Sequence, residues 1–250
     1  MKKLISTVLA LGMAASLAAC GSSASTAAST AESTVESTAA AGDSDLDYIK
    51  GKGKMTIGYT VYEPMNYTDA DGNFTGFDTE LATAVCEKLG VEPEFVEINW
   101  DTKIVELDAK SIDCIWNGMT LTDDIQANTA CTKAYAKNAQ VVVMKSDKVA
   151  DYADVDAMKD LAVAVESGSA GDETATNNGF TNVTKVTAQA DALMEVASGT
   201  ADACIIDLTM AKAMTGDGTS YADLSVAAEM DREEYGIGFR KGSDMAQKVN

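Results

Sequence analysis

Short apolar runs alternate along the chain with stretches whose apolar residues recur at helical spacing. Residues 55–59 form the first run, and residues 78–89 follow with three apolar residues four positions apart. The run predicts a strand, and the spacing predicts an amphipathic helix. The alternation continues with a strand at 95–98, a helix at 102–109, a strand at 112–116 and a helix at 123–127. Strands and helices in turn predict a parallel sheet with helices on its faces.

The pattern restarts after a longer predicted strand at 139–145. It continues with strands at 161–165, 182–186, 201–206 and 235–239, and with a helix at 188–198. Two successive units predict two lobes, and we expect the segments near 139–145 and 223–239 to carry the chain between them. We therefore predict an α/β fold with lobe 1 at 46–143 and 229–250 and lobe 2 at 144–228.

The amino terminus has the pattern of an export signal. Lys2 and Lys3 precede an uncharged apolar segment at 4–19, and small residues close it. These features are typical of a secretory signal. The segment ends Leu-Ala-Ala before Cys20, which resembles the bacterial lipobox; a signal peptide with an unrelated Cys is the alternative. We predict a signal peptide at 1–19, a lipid on Cys20, and a location at the outer face of the bacterial cell membrane.

Residues 20–45 continue from the predicted lipid site with a biased composition. They consist almost entirely of Ser, Thr, Ala and Glu. Such a segment buries too little apolar surface to offset the entropy of the chain. We therefore predict a flexible tether between the lipid anchor and the folded lobes.

Composition excludes several classes of protein. The 250 residues hold 39 acidic and 19 basic side chains, a net charge of −20, and no His. This charge argues against nucleic-acid binding, which needs a basic surface. The lack of His removes His-based nucleophiles and most zinc sites, so we expect no cofactor and no metal.

The cysteines after residue 20 show no CxxC spacing, which favours buried free thiols over disulfides. They are Cys86, Cys114, Cys131 and Cys204.

Candidate binding residues follow the predicted strands. In open α/β sheets, ligands lie beyond the carboxyl ends of the strands. Aromatic rings there can enclose a small organic molecule, Gly and Ser can present amides to an anion, and a carboxylate can hold an amine. Each of these residue types alone more often has a structural role. Their shared position at strand ends is what favours a binding site. The candidates are Tyr59, Tyr62, Trp100, Asn117, Gly118, Thr120, Glu166, Ser169 and Asp207.

Several of these residues lie in motifs that resemble polar amino-acid substrate-binding proteins of ABC importers. The resemblance runs from about residue 50 to the end, and it is specific through the combination and order of its motifs. They are Tyr-Glu-Pro-Met at 62–65, Gly-Asn-Phe-Thr-Gly-Phe-Asp at 72–78, Asp-Cys-Ile-Trp-Asn-Gly-Met-Thr at 113–120, Glu-Ser-Gly-Ser at 166–169, Ala-Asp-Ala-Cys-Ile-Ile-Asp at 201–207 and Tyr-Gly-Ile-Gly-Phe-Arg-Lys-Gly-Ser at 235–243.

The resemblance implies a periplasmic-binding-protein-like fold of type II. Its two lobes, joined by two crossing strands, would close around one amino acid. The protein, a monomer, would then hand the amino acid to a membrane permease. It implies that aromatic rings at Tyr62 and Trp100 stack on the ligand and that Asp207 holds the α-ammonium. Groups around four further residues would bind the α-carboxylate: Asn117, Gly118, Thr120 and Ser169.

Two positions depart from the family pattern at the predicted site. Ile125 stands where relatives usually carry an Arg that clamps the ligand carboxylate. Tyr59 stands where many relatives have Asp, while Glu166 adds an acid. The cleft is therefore predicted to be acidic and aromatic, so a cationic or amine-bearing ligand is at least as probable as a neutral amino acid. Only one or two helical turns follow residue 243, so we also expect a shortened last helix.

Two other functions fit the same fold. A lipoprotein of this kind could sense a ligand for a separate membrane receptor. A dehydratase would need an acid–base pair in the cleft, for which Glu166 and Asp207 are the candidates. We predict a binding protein and not an enzyme.

Overall fold

The computed structural model describes residues 44–250, and these form a mixed α/β fold. The predicted signal peptide, Cys20 and nearly all of the predicted tether lie outside the described residues. The strands are β1 (Lys54–Tyr59), β2 (Tyr67–Thr68), β3 (Phe74–Thr75), β4 (Glu92–Glu97), β5 (Cys114–Thr120), β6 (Thr129–Cys131), β7 (Ala136–Lys145), β8 (Ala162–Glu166), β9 (Asn182–Val186), β10 (Ala203–Asp207) and β11 (Leu224–Arg240). The helices are α1 (Asp45–Lys52), α2 (Phe77–Leu89), α3 (Lys103–Asp108), α4 (Asp123–Asn128), α5 (Ala170–Asn177), α6 (Gln189–Ser198), α7 (Leu208–Met214) and α8 (Met245–Val249), with short 3₁₀ turns at Trp100–Thr102, Val149–Asp151 and Val155–Met158.

The main sheet runs in the order β4-β1-β5-β11-β7-β10-β8-β9, and β6 pairs with β11. β4, β1 and β5 are parallel to one another, as are β10, β8 and β9. We call the first group and its helices the first lobe, and the second group and its helices the second lobe. β7 and β11 run antiparallel between them, with Leu224 opposite Lys145 and Tyr235 opposite Ala136. The predicted α/β fold with two crossing strands is confirmed, while the residue boundaries of the lobes stay a prediction.

Helix ends follow the signals in the sequence. Thr122 caps α4 by accepting a hydrogen bond from the Ile125 amide, as its position predicts. Gly199 ends α6 in the left-handed conformation, with φ of 80°. α8 has Asp244 at its N-cap, and the hydroxyl of the preceding Ser243 accepts a hydrogen bond from the Met245 amide.

The sequence pattern did not predict six elements of the described residues, which are α1, α5, α7, β2, β3 and β6, and it predicted β11 only in part. β11 is 17 residues long; a strand was predicted at 235–239 inside it, and the segment near 223–239 was expected to cross between the lobes. Its first part carries Glu229, Asp231, Arg232 and Glu233 on a half-exposed ribbon, so it lacks an apolar run. α5 and α7 begin directly after strands β8 and β10, where the sequence shows a Gly-Ser turn and an isolated acid.

Each lobe has its own apolar core, and a third apolar cluster joins them. Ile57, Cys86 and Phe239 are buried in the first lobe, and Val163 and Ile205 in the second. Tyr62 and Met65, from the loop after β1, pack in one cluster with residues of β7, β10 and α7. The lobes therefore meet through side chains as well as through the two long strands.

The cysteines of the described part are free thiols, as the sequence favours. Cys86, Cys114 and Cys204 are buried, and Cys131 is half-buried. Within residues 44–250, no helix has the length and apolar character needed to cross a membrane.

Candidate functional site

A cavity of about 80 Å³ lies between the lobes at the carboxyl ends of β5, β8 and β10. The amino ends of α4 and α5 also reach it. We call it the cleft cavity. Its lining residues are Trp100, Lys103, Asn117, Gly118, Met119, Thr120, Thr122, Asp124, Ile125, Glu166, Gly168, Ser169, Ala170, Glu173, Gln189 and Asp207.

Most of the predicted site residues meet at this cavity. The seven that line it are Trp100, Asn117, Gly118, Thr120, Glu166, Ser169 and Asp207. Tyr59 and Tyr62 do not line it. The rule that ligands lie at the carboxyl ends of strands therefore identifies residues that are more than 100 positions apart and share one cavity. It does not predict the direction of each side chain.

Tyr62 lies inside the protein, behind the wall of the cleft cavity. Its hydroxyl lies 2.6 Å from that of Tyr235, and both rings are buried. The chain passes it closely at Gly118, where an added Cβ would come 2.7 Å from Tyr62 Cε1 and where φ is +54°. The expectation that Tyr62 stacks on a ligand does not match this position, because burial between the lobes leaves its ring no open face on the cavity.

Tyr59 lies in a separate aromatic cluster. Its ring centroid is 4.8 Å from that of Phe74 and 6.4 Å from that of Phe95. It lines a different cavity with Val61 and Glu63. The last residue of β1 therefore turns away from the cleft cavity, since neighbouring positions of a strand face opposite sides.

Asn117 and Gly118 direct their polar groups into the first lobe. The Asn117 amide accepts from the Thr60 backbone N–H and hydroxyl, both at 3.0 Å, and donates to Asn66 at 2.7 Å. The Gly118 N–H donates to Asp78 Oδ2 at 2.6 Å. That these two residues bind a ligand carboxylate stays a prediction, but the polar groups named here are already paired within the protein.

Asp78 is a structural residue of this wall that the sequence did not single out. It is fully buried and also accepts a hydrogen bond from the Tyr135 hydroxyl at 2.8 Å. Burial raises the pKa of Asp78 to about 6, against the lowering effect of the Gly118 amide. Its acidic position in the first turn of α2 gave only the signal of an ordinary helix start.

Asp207 closes the second lobe's side of the cavity. Its carboxylate accepts hydrogen bonds from the side-chain amides of Asn138 at 2.9 Å, Gln189 at 2.9 Å and Gln140. The side chain is buried, and burial raises its pKa although the Gln189 and Gln140 amides lower it. The three amides fix the carboxylate without neutralising it. No pattern in the sequence pointed to them, because Asn138 and Gln140 come from the middle of β7.

Glu166 is a second buried acid on the same side. One of its oxygens lies 3.1 Å from the Thr60 hydroxyl of the first lobe, whose single hydrogen is shared with Asn117 Oδ1. Burial raises the pKa of Glu166 to about 8; the hydrogen bond from Thr60 lowers it, and the charge of Asp207 raises it further. Its charged form therefore gains much from any cation that enters the cavity.

Lys103 carries the cavity's positive charge. Its ammonium donates to the carbonyl oxygens of Trp100 at 3.1 Å and of Gly168, in the second lobe, at 2.8 Å. It also lies 5.0 Å from the centre of the Trp100 ring, within range of a cation–π interaction. Burial lowers the pKa of Lys103. Position 125, where the resemblance led us to expect an Arg, is a buried Ile at the cavity wall.

The charges lining the cavity are strongly unequal. Among the described residues that line it, four are acidic and Lys103 is the basic one. The acids are Asp124, Glu166, Glu173 and Asp207. At the amino end of α5, the Ser169 hydroxyl accepts a hydrogen bond from the Asp172 amide, which caps the helix. This arrangement suits a small ligand that carries positive charge and offers at most one anionic group.

The chain belongs to the bacterial extracellular solute-binding proteins, family 3, whose family model matches residues 55–250. It is 31% identical over 223 residues to the arginine-binding extracellular protein ArtP of Bacillus subtilis, covering 84% of each chain. It is 32% identical over 217 residues to the L-cystine-binding protein TcyA of the same organism, covering 84% of this chain and 79% of the relative. Among solved structures, holo ArgBP of T. maritima has a TM-score of 0.75 at 30% identity, covering 82% of this chain and 90% of that one.

Proposed function

We propose that the protein binds one positively charged amino acid, or a related small amine, in the cleft cavity and delivers it to the permease of an ABC importer. Relatives named for arginine and cystine binding support the amino-acid class. The observation that carries the choice of charge is the pair of buried carboxylates, Glu166 and Asp207, on one wall of the cavity, where Lys103 is the one cation among the described lining residues.

In this proposal the α-ammonium of the ligand pairs with Asp207. Three amides already orient this carboxylate, so ligand binding costs little conformational entropy at Asp207. A second cationic group on the ligand pairs with Glu166. A cation removes the cost of holding either acid ionised in a buried position.

The ligand carboxylate then needs a donor other than Arg. Lys103 supplies it: its described hydrogen bonds use two of the three N–H groups of an ammonium. The Ser169 and Thr120 side chains are the other polar candidates on the cavity wall. The Trp100 ring lines the same cavity and provides the aromatic face on which the ligand stacks.

Ligand binding favours the closed arrangement because the site uses both lobes. Thr60 of the first lobe reaches Glu166 of the second, and Lys103 of the first reaches Gly168 of the second. A ligand that touches both walls stabilises the closed form by the difference between its affinities for the closed and open forms. We propose that the closed protein, a monomer held at the membrane by a lipid on Cys20 and the tether at 20–45, is what the permease recognises.

Isothermal titration with L-arginine, L-lysine, L-histidine, L-glutamine and L-glutamate tests the proposed charge preference. We expect the cationic amino acids to bind at least about tenfold more tightly than L-glutamine, since a charge-assisted hydrogen bond contributes roughly 1.5–3 kcal/mol. Tight binding of L-glutamate alone would overturn the proposal.

Mass spectrometry of the ligand after incubation with the protein tests the absence of turnover. We expect the ligand to be recovered unchanged.

A further inference from the structure

Glu233, on the crossing strand β11, shares its hydrogen-bond donors with Asp207. The Asn138 side-chain amide donates to Asp207 Oδ1 at 2.9 Å and to Glu233 Oε1 at 2.6 Å. The Gln140 side-chain amide also donates to both, and its distance to Glu233 Oε1 is 2.9 Å. Each primary amide has two N–H groups, so each can serve one carboxyl with each hydrogen. The two acids are thus held side by side by two bridging amides.

This carboxyl pair has no cation of its own. Within residues 44–250, no Lys or Arg forms an ion pair with Asp207 or Glu233. Lys137 and Arg232 line the surface beside Glu233, but Arg232 pairs with Glu229 at 3.0 Å. Asp207 is buried and Glu233 is half-buried. Two adjacent carboxylates in such positions, without a cation, are unfavourable when both are ionised.

The other groups around the pair do not neutralise it either. The hydroxyls of Tyr62 and Tyr235 lie near Asp207, and Glu166 adds a further acid on the same wall of the cavity. On the remaining sides are neutral side chains, with Gln189 bonded to Asp207 and Thr209 bonded to Asn138. Burial and then the charge of Asp207 raise the pKa of Glu233 to about 8.

We infer that Glu233 is a positioning residue of the ligand site, which holds a proton jointly with Asp207 until the ammonium of the ligand displaces it to solvent. The inference rests on the proposed function, in which Asp207 binds that ammonium. When the cationic ligand enters, one proton leaves the two carboxyl groups for the buffer. The summed charge of the two carboxyl groups and the bound ammonium is therefore the same as that of the two carboxyl groups before binding. Ligand affinity then rises with pH towards about 8, with a limit of about tenfold per pH unit for one proton.

Isothermal titration of the full chain in phosphate and in Tris tests this, because the two buffers differ in ionisation enthalpy and report the protons released. The probes are L-arginine, L-lysine, L-histidine and L-cystine, and the tightest is used from pH 6 to pH 8.5. For the wild type we expect proton release at pH 7 and rising affinity over this range. Glu233→Gln should release fewer protons, bind as tightly as the wild type at pH 6, and bind several-fold more weakly at pH 8.5.

Glu234→Gln is the matched control, since Glu234 is exposed on the same strand, and it should behave as the wild type. Burial also raises the pKa of Glu166 to about 8, so the decisive quantity is the difference between the wild type and Glu233→Gln. Equal proton release and equal pH profiles in these two proteins overturn the inference while leaving the proposed function intact. Absence of binding by all four probes overturns both. If Glu233→Gln does not fold, Glu233→Ala provides the same comparison.

Discussion

The two walls of the cleft cavity are built in different ways. On the first lobe, the polar groups of Asn117 and the Gly118 amide are consumed by Thr60, Asn66 and Asp78 within the protein. On the second lobe, Glu166 and Asp207 keep buried charge at the cavity. Asn117 and Gly118 therefore shape the first wall, while the second wall supplies two buried acids. Substitutions at Glu166 and Asp207 should change which ligand binds, whereas substitutions at Asn117 and Gly118 should change mainly stability.

The largest effect is expected at Asp207. Asp207→Asn keeps the size of the side chain but removes the charge opposite the ligand ammonium, and breaking a buried ion pair costs about 3–5 kcal/mol. We expect affinity to fall by at least about 100-fold in isothermal titration. Asp217→Asn, at an exposed position of the same lobe, should bind as the wild type. Unchanged affinity in Asp207→Asn would contradict the assigned role.

Glu166→Gln should have a smaller and more selective effect. The substitution retains an acceptor for the Thr60 hydroxyl and removes the charge that pairs with a second cationic group. We expect affinity for L-arginine to fall about tenfold or more, as for the loss of one charge-assisted hydrogen bond. Affinity for L-glutamine should change little. Equal losses of affinity for L-arginine and L-glutamine, measured side by side, would mean that Glu166 does not discriminate between ligands by charge.

Gly118→Ala tests the wall of the first lobe. The added Cβ would lie 2.7 Å from Tyr62 Cε1 at a φ of +54°, so both a clash and backbone strain are expected. We predict a loss of about 2–4 kcal/mol in the free energy of unfolding, measured with denaturant.

Gly72→Ala is the control for the strain alone, because Gly72 has a φ of +86° and open space around its Cβ position. It should cost about 1 kcal/mol. If both variants lose the same free energy, the close approach of Tyr62 does not require Gly118.

The smallest effects separate the two predicted aromatic contacts. Trp100→Leu removes a ring that lines the cleft cavity, and we expect a several-fold loss of affinity. Tyr59→Leu alters a cluster with Phe74 and Phe95, so it should leave affinity unchanged and lower the melting temperature slightly. A larger loss of affinity in Tyr59→Leu than in Trp100→Leu, in the same titration, would reverse this assignment.

Much of this arrangement follows from the sequence, because strand ends are readable from periodicity. Apolar runs locate the ends of β5, β8 and β10, and their shared edge brings Thr120, Glu166 and Asp207 together. Side-chain direction is not readable in the same way. Tyr59 ends β1 and Tyr62 lies shortly after it, yet Tyr62 is buried between the lobes and Tyr59 packs in a separate aromatic cluster. Asn138, Gln140 and Glu233 were missed because pairing of two distant strands, rather than any local motif, creates their contacts with Asp207.

Lys103 shows the same limit for charge. In the sequence it is one basic residue at the start of a short helix, which is an ordinary surface position. In the fold it turns back over Trp100 and reaches across to Gly168. Only the closed approach of the two lobes makes it the cation of the cavity.

The central claim is that buried carboxylates of the second lobe select a cationic amine. Mass spectrometry of small molecules released from the purified wild-type protein and from Asp207→Asn tests it most directly. We predict that the wild type releases a positively charged amino acid or amine and that the variant releases none. An acidic or amine-free molecule from the wild type, or the same molecule in equal amount from both proteins, would contradict the account.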